Sequence, residues 1–198
     1  MAPSRPAVVL GSTQPEADVD PGAAARFGFD VARRRSGGGA VLVDPATTVW
    51  IDAIVPRDDE LWVDDVGVAF EWFGRVWAAT LADLGVGAAA IEVHTGALVR
   101  TALGPVVCFA GLGPGEITVD GAKSVGMSQR RTRGAARFQS SLLMGWDPDR
   151  HAAVLAPGLA RVAPGTDPSD ALSGVFVHPL VGVAVPTVVD AVLAHLPG

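Results

Sequence analysis

Three consecutive glycines, Gly37-Gly38-Gly39, interrupt the chain between two extended runs. Each glycine weakens a helix by about 1 kcal/mol relative to alanine, so no regular helix passes through this point. Phe29 to Arg33 therefore reads as one extended segment, Ser36 to Gly39 as a flexible turn, and Ala40 to Asp44 as a second strand. Three glycines also let the backbone approach a ligand closely and point N–H groups at an anion. Arg33, Arg34 and Arg35 supply charge beside them.

The rest of the pattern builds around that turn. Pro6 to Gly11 reads as a buried strand, and Asp20, Pro21 and Gly28 cap, start and stop a short helix. Thr47 to Val55 is β-branched and alternating, which predicts a strand. The main helix is expected from a cap at Asp58 or Asp59, with Trp62, Val66, Phe70, Phe73, Trp77, Leu81 and Leu84 as its core stripe and Gly85 as its stop. Ala90 to Val93 and Pro105 to Phe109 read as strands. Asp120-Gly121 predicts a tight hairpin between Glu116–Val119 and Ala122–Arg131, with Thr118 opposite Lys123. Strict alternation would then put Lys123, Val125, Met127 and Gln129 on one face. Phe138 to Met144 predicts a strand, Asp149 to Leu155 a short helix, Pro157 to Ser173 a connection, and Pro186 to Leu196 a closing helix. Many strands with few helices predict an α+β fold, mixed β-sheets with flanking helices, in a single domain spanning residues 1–198.

Composition excludes several function classes. A net charge of −6 offers no general field for nucleic acid. One cysteine cannot form an intramolecular disulfide, and no signal-peptide pattern opens the chain, so a cytoplasmic location is expected. No membrane association is expected: the richest apolar run, Val175 to Val185, is broken by His178, Pro179 and Gly182. His94, His151, His178 and His195 lack ligand spacing, which predicts no metal site. Gly111, Gly113 and Gly115 precede no helix and give no dinucleotide loop; Glu116 and Asp120 read as solvent-facing.

Lys123 is the only lysine and Cys108 the only cysteine. Every other basic side chain of the lysine and arginine kind is arginine, so a lysine here suggests a need for a compact ammonium rather than a planar fork.

The string Arg34-Arg35-Ser36-Gly37-Gly38-Gly39-Ala40-Val41 resembles the signature of the lipoate–protein ligase family. Asp120-Gly-Ala-Lys123-Ser-Val-Gly126-Met-Ser-Gln129 resembles that family's second block, whose lysine is the central catalytic residue. The resemblance runs from about Pro6 to about Met144; residues 157–198 carry little of it. It implies the mixed-sheet fold shared with biotin protein ligases, and transfer of a lipoyl or octanoyl group to a lysine of a lipoyl-domain acceptor. It further implies Lys123 as a catalytic residue, with Arg34, Arg35, Ser36, Gly37, Gly38, Gly39, Ala40, Gly126 and Gln129 binding substrate. The family's usual helix and strand ahead of the segment matching Pro6 to Gly11 have no counterpart here, nor does the extra C-terminal domain of stand-alone ligases. One side of the acyl pocket is accordingly expected to be open.

Two chemistries fit the resemblance. In one, lipoate attacks ATP, with Mg, to form an acyl adenylate; Lys123 then stabilises developing charge. In the other, Cys108 takes the acyl group from a carrier-protein thioester and passes it to the acceptor lysine, an exchange that needs no ATP. Cys108-Phe109, the glycine-rich loop after it and Gly126-Met-Ser-Gln-Arg-Arg131 look more like the cysteine-dependent octanoyl and lipoyl transferases. Val43 and Pro45-Ala46 stand where many ligases carry a histidine and Gly-Asn, and Gln139-Ser140-Ser141 where they carry Gln-His-Gly. Arg130, Arg131 and Arg133 would suit an acidic lipoyl domain or acyl carrier protein. A binding or regulatory relative that keeps the pocket without catalysis is the third reading.

Overall fold

The computed structural model describes residues 3–197. Two sheets face each other. The smaller has the order β2-β1-β3: β1 (Ala7–Leu10) pairs in parallel with β2 (Asp30–Arg33) and antiparallel with β3 (Val41–Val43). The larger is antiparallel, in the order β4-β8-β7-β6-β5, from β4 (Thr48–Pro56), β5 (Ile91–Val93), β6 (Ile117–Val119), β7 (Ala122–Arg131) and β8 (Ala135–Leu143). The expected α+β class with mixed sheets and flanking helices is what the chain forms.

Helix α2 (Glu71–Asp83) covers the outer face of the large sheet with α6 (Val185–Ala194). Phe73, Trp77 and Leu81, one helical turn apart, are fully buried against Ile117, Val125, Phe138 and Leu142. Four helices cover the small sheet: α1 (Pro21–Arg26), α3 (Pro148–Val154), α4 (Ala156–Val162) and α5 (Pro168–Leu172). Between the sheets lies a third, smaller cluster of Val41, Val43, Phe109 and Leu143. Among the described residues no helix is long and apolar enough to cross a membrane.

Alternation along β8 explains how one strand serves both layers. Ala136, Phe138 and Leu142 join the α2 core, whereas Gln139 reaches Ser36 and Leu143 joins the inter-sheet cluster.

Three expectations fail for tertiary reasons. The main helix begins at Glu71, after a single 3-10 turn at Val68–Phe70, and not near Asp58. Asp65 supplies the local cap, accepting from the Gly67 and Val68 amides, and these bonds hold its carboxyl below the usual range. Trp62 lies outside the helix, its ring beneath the Arg57 and Arg131 guanidinium groups. Pro105 to Phe109 is no strand: only Val107 bridges to Ala40 before a 3-10 turn at Cys108–Ala110. Within Pro157 to Ser173 the chain folds into most of α4 and all of α5, because Leu159 and Leu172 bury against the small-sheet core.

His151 on α3 is 8% exposed, with its ring centroid 4.0 Å from that of Trp146 and its Nδ1 2.7 Å from the Asp147 carbonyl oxygen. Burial pushes it down from 6.5 to about 4. The unfolded chain therefore binds a proton that the native state refuses between those values. Stability is fully present above pH 6.5 and falls as pH drops towards 4, by at most about 3 kcal/mol. Urea midpoints at neutral pH and at pH near 4.5 test this in wild type and His151→Phe. The variant is expected to lose less stability on acidification; equal losses would show that His151 does not titrate in this way.

Candidate functional site

A cavity of about 550 Å³ opens between the sheets. Its lining includes Gly37, Gly38 and Gly39, Cys108 and Gly111, and the buried Lys123, Glu116 and Met127. Gln14 and Arg161 also line it.

The triple-glycine turn is held from behind. Arg34, 6% exposed, donates from Nη1 to the Val9 carbonyl and from Nη2 to those of Gly37 and Gly39, at 3.0, 2.7 and 2.8 Å. Its Nε has no hydrogen-bond partner. Burial lowers this guanidinium from its ordinary value, and its electrostatic interaction with Cys108 and Glu116 pulls the other way. Gly38 adopts φ 96°, which favours glycine, and a Cβ on Gly39 would lie 2.6 Å from both Gly104 O and Val107 N. Ala40 then donates to Val106 O and accepts from the Cys108 amide, so the turn and the cysteine loop are fastened together.

The hairpin forms as its sequence predicts. Asp120 and Gly121 take φ 50° and 78°, and Thr118 pairs with Lys123. One residue later the register slips: Ile117 pairs with Val125, leaving a β-bulge at Ser124. The bulge overturns the expected face. Val125 and Met127 join the α2 core, while Lys123 turns towards the small sheet, where a Cβ on Gly126 would be 3.5 Å from its Cε. The backbone at Lys123 is braced on its other side by the segment around Val177, through Lys123 N–H to Phe176 O and His178 N–H to Lys123 O.

Lys123 is 5% exposed and its ammonium is fully engaged. It donates to Cys108 O and Gly111 O, both at 2.9 Å, and pairs with Glu116 Oε2 at 2.6 Å. Its Nζ also sits 5.2 Å from the centroid of the Phe109 ring. Glu116 is not solvent-facing as its sequence suggested. It is 4% exposed and accepts from the Gly113 amide at 2.6 Å and the Met127 amide at 2.7 Å. Only the Gly113 amide is a local partner; Lys123 and Met127 come from β7. Asp120 is exposed, as expected.

The remaining predicted residues divide. Ser36 bonds to Ser128 Oγ and Gln139 Oε1, each at 2.8 Å, tying the turn to the large sheet. Gly126 is buried beside Phe109, behind the cavity wall. Gln129 lies outside the cavity, accepting from Arg131 Nε at 3.1 Å. Arg35 is exposed and lines a separate cleft of about 850 Å³ with Arg5, Arg33, Arg130 and Arg137. Also missed by sequence reasoning is the Gln14, Asp18 and Arg161 cluster, in which Arg161 grips Asp18 with two bonds of 2.9 and 2.8 Å at the cavity's edge.

The fold is similar to that of solved lipoate enzymes. Against a lipoate-protein ligase A bound with ATP the TM-score is 0.68 at 21% identity, covering 96% of this chain and 67% of that one. Against a structure from an archaeal lipoylation system, a bipartite lipoate protein ligase and its E2 lipoyl domain from Thermoplasma acidophilum, it is 0.70 at 22% identity, covering 96% and 66%. Against P. falciparum LipL1 in complex with lipoate it is 0.61 at 14%, covering 96% and 46%. The chain thus spans about two thirds of the first two and under half of the third. No curated protein matches it in sequence. Its sequence does match the family described as lipoyl protein ligase A/B catalytic domain over residues 1–194, and the chain belongs to that family.

Proposed function

We propose that this protein transfers an octanoyl or lipoyl group to a lysine side chain of a lipoyl domain, with Cys108 as the nucleophile. One observation carries the reading: Cys108, Lys123 and the Gly37–Gly39 turn line the same cavity. At about 550 Å³ it falls in the usual range for small-molecule sites and has room for an eight-carbon chain. The Cys108 thiolate attacks the carbonyl carbon of a carrier-protein thioester. The new C–S bond forms as the old one breaks, and the carrier leaves as a thiol after taking up a proton. The neutral amine of the acceptor lysine then attacks acyl-Cys108. An amide forms, sulfur leaves as thiolate, and the amine's proton goes to solvent. Lys123 supplies positive charge beside both tetrahedral oxyanions, and the buried Arg34 holds the glycine turn of the same cavity. Arg35 and Arg130, on the open cleft, are suited to an acidic acceptor or carrier surface.

The ATP-dependent route is the second reading, favoured by the likeness in fold to the ATP-bound ligase. Here Lys123 would stabilise charge on the α-phosphate, and Mg would accompany ATP. Cys108→Ser separates the two. On the thiol route it is expected to lower octanoyl transfer from carrier protein to a lipoyl domain by about three orders of magnitude or more, and to abolish the acyl-enzyme seen by intact mass. Undiminished lipoylation by the variant with lipoate and ATP, releasing pyrophosphate, would overturn the thiol route. Inactivity of wild type in both assays would point to a non-catalytic relative.

A further inference from the structure

Lysine has three N–H donors and no acceptor, and all three on Lys123 are engaged. An incoming oxygen can contact the ammonium only by replacing a partner. Two of those partners are backbone carbonyls on a fastened loop: the Cys108 amide is bonded to Ala40 O, and Leu112 exchanges two bonds with Val99. The third is the Glu116 carboxylate, on a side chain with rotatable bonds that also lines the cavity.

Glu116 fills a place shaped for an anion. Gly113 N–H and Met127 N–H converge on its two oxygens together with the Lys123 ammonium. If the carboxylate moves away, both amides lose their acceptor, which is costly in a buried site. A ligand bringing two negative oxygens restores those bonds and the counter-charge on Lys123 together. An apolar chain restores neither, and a neutral amide offers one acceptor oxygen and no charge.

We propose that Glu116 is an internal competitor, occupying the seat that a negatively charged carboxylate, phosphate or tetrahedral oxyanion takes on Lys123, Gly113 and Met127. This rests on the reading that Lys123 meets the reacting acyl group. Exchange of one anion for another keeps a counter-charge on the buried Lys123 ammonium throughout. It also favours anions over neutral groups at this seat, because a neutral group that displaced Glu116 would leave the Lys123 ammonium without a counter-charge.

The experiment uses the full chain and sodium octanoate as the probe, with octanamide as the neutral control, both followed by titration calorimetry. Glu116→Gln keeps the shape and removes the competing charge; Glu116→Asp keeps the charge but withdraws it by one methylene. Octanoate is expected to bind Glu116→Gln about tenfold more tightly than wild type, with Glu116→Asp in between and octanamide unchanged throughout. KM for the neutral thioester donor is expected to stay unchanged in Glu116→Gln while octanoate binds more tightly, a split that mere loss of packing does not produce. Glu116→Asp serves alone if Glu116→Gln fails to fold. Octanoate affinity that is unchanged or weaker in the folded variants overturns the proposal, as does octanoate binding to none of the proteins. Acyl transfer is scored separately: its absence in wild type sinks the functional reading, while tighter octanoate binding by the variants would still support the exchange.

Discussion

Replacing Lys123 by methionine is expected to lower acyl transfer by at least about 10²- to 10³-fold, the usual effect of removing one oxyanion donor. It should also destabilise the protein by about 3–5 kcal/mol, because Glu116 is left buried without its counter-charge. The two effects are separable. Adding Glu116→Gln to Lys123→Met removes the orphaned charge, so the double variant should regain much of the stability and none of the activity. Denaturant midpoints and single-turnover assays on the four proteins of this cycle give both quantities. Full activity in a folded Lys123→Met protein would remove Lys123 from the chemistry. Equal stability of single and double variants would show that the ion pair carries no net electrostatic strain when broken.

The second large effect is expected at Gly39. A Cβ there meets backbone atoms on three sides, Gly104 O and Val107 N at 2.6 Å and Val106 C at 2.8 Å, so no side chain can give way. Gly39→Ala should push the turn away from the loop that carries Cys108. The two bonds between Ala40 and that loop break with it. Overpacking of 1–3 kcal/mol plus about 1 kcal/mol per lost bond puts the cost at roughly 3–5 kcal/mol. Gly37 provides the contrast: nothing lies within 4 Å of a Cβ placed there, and Gly37→Ala should fold normally. Lost activity in Gly37→Ala with unchanged thermal stability would show that a ligand closely approaches that wall. If Gly39→Ala is as stable as Gly37→Ala, the turn and the cysteine loop are not packed as described.

Features encoded by neighbours in sequence were readable. Asp120-Gly121 specifies its own turn, and the turn sets the pairing of Thr118 with Lys123. Asp20 and Pro21 mark the start of α1 for the same local reason. The motif around Gly37 to Gly39 placed the glycines and Cys108 near Lys123 only through family resemblance, and its two arginines do different work. Arg34 buries itself to hold the turn, while Arg35 faces another cleft. Trp62 and Val66 matched a helical period by composition alone, but Asp65 and Gly67 begin the helix later.

The amino-acid sequence by itself determined the fold class, the hairpin, the turn and the two unique residues, since these follow from period, turn chemistry and residue type. The face on which Lys123 lies was decided only in three dimensions. Alternation assigns it to the α2 core with Val125 and Met127, and one bulged residue, Ser124, reverses that assignment. Glu116 likewise carries no mark in its neighbourhood. Its burial is compensated by the Gly113 amide three residues back and by an ammonium and an amide from β7, and that larger part exists only once the strand has met it.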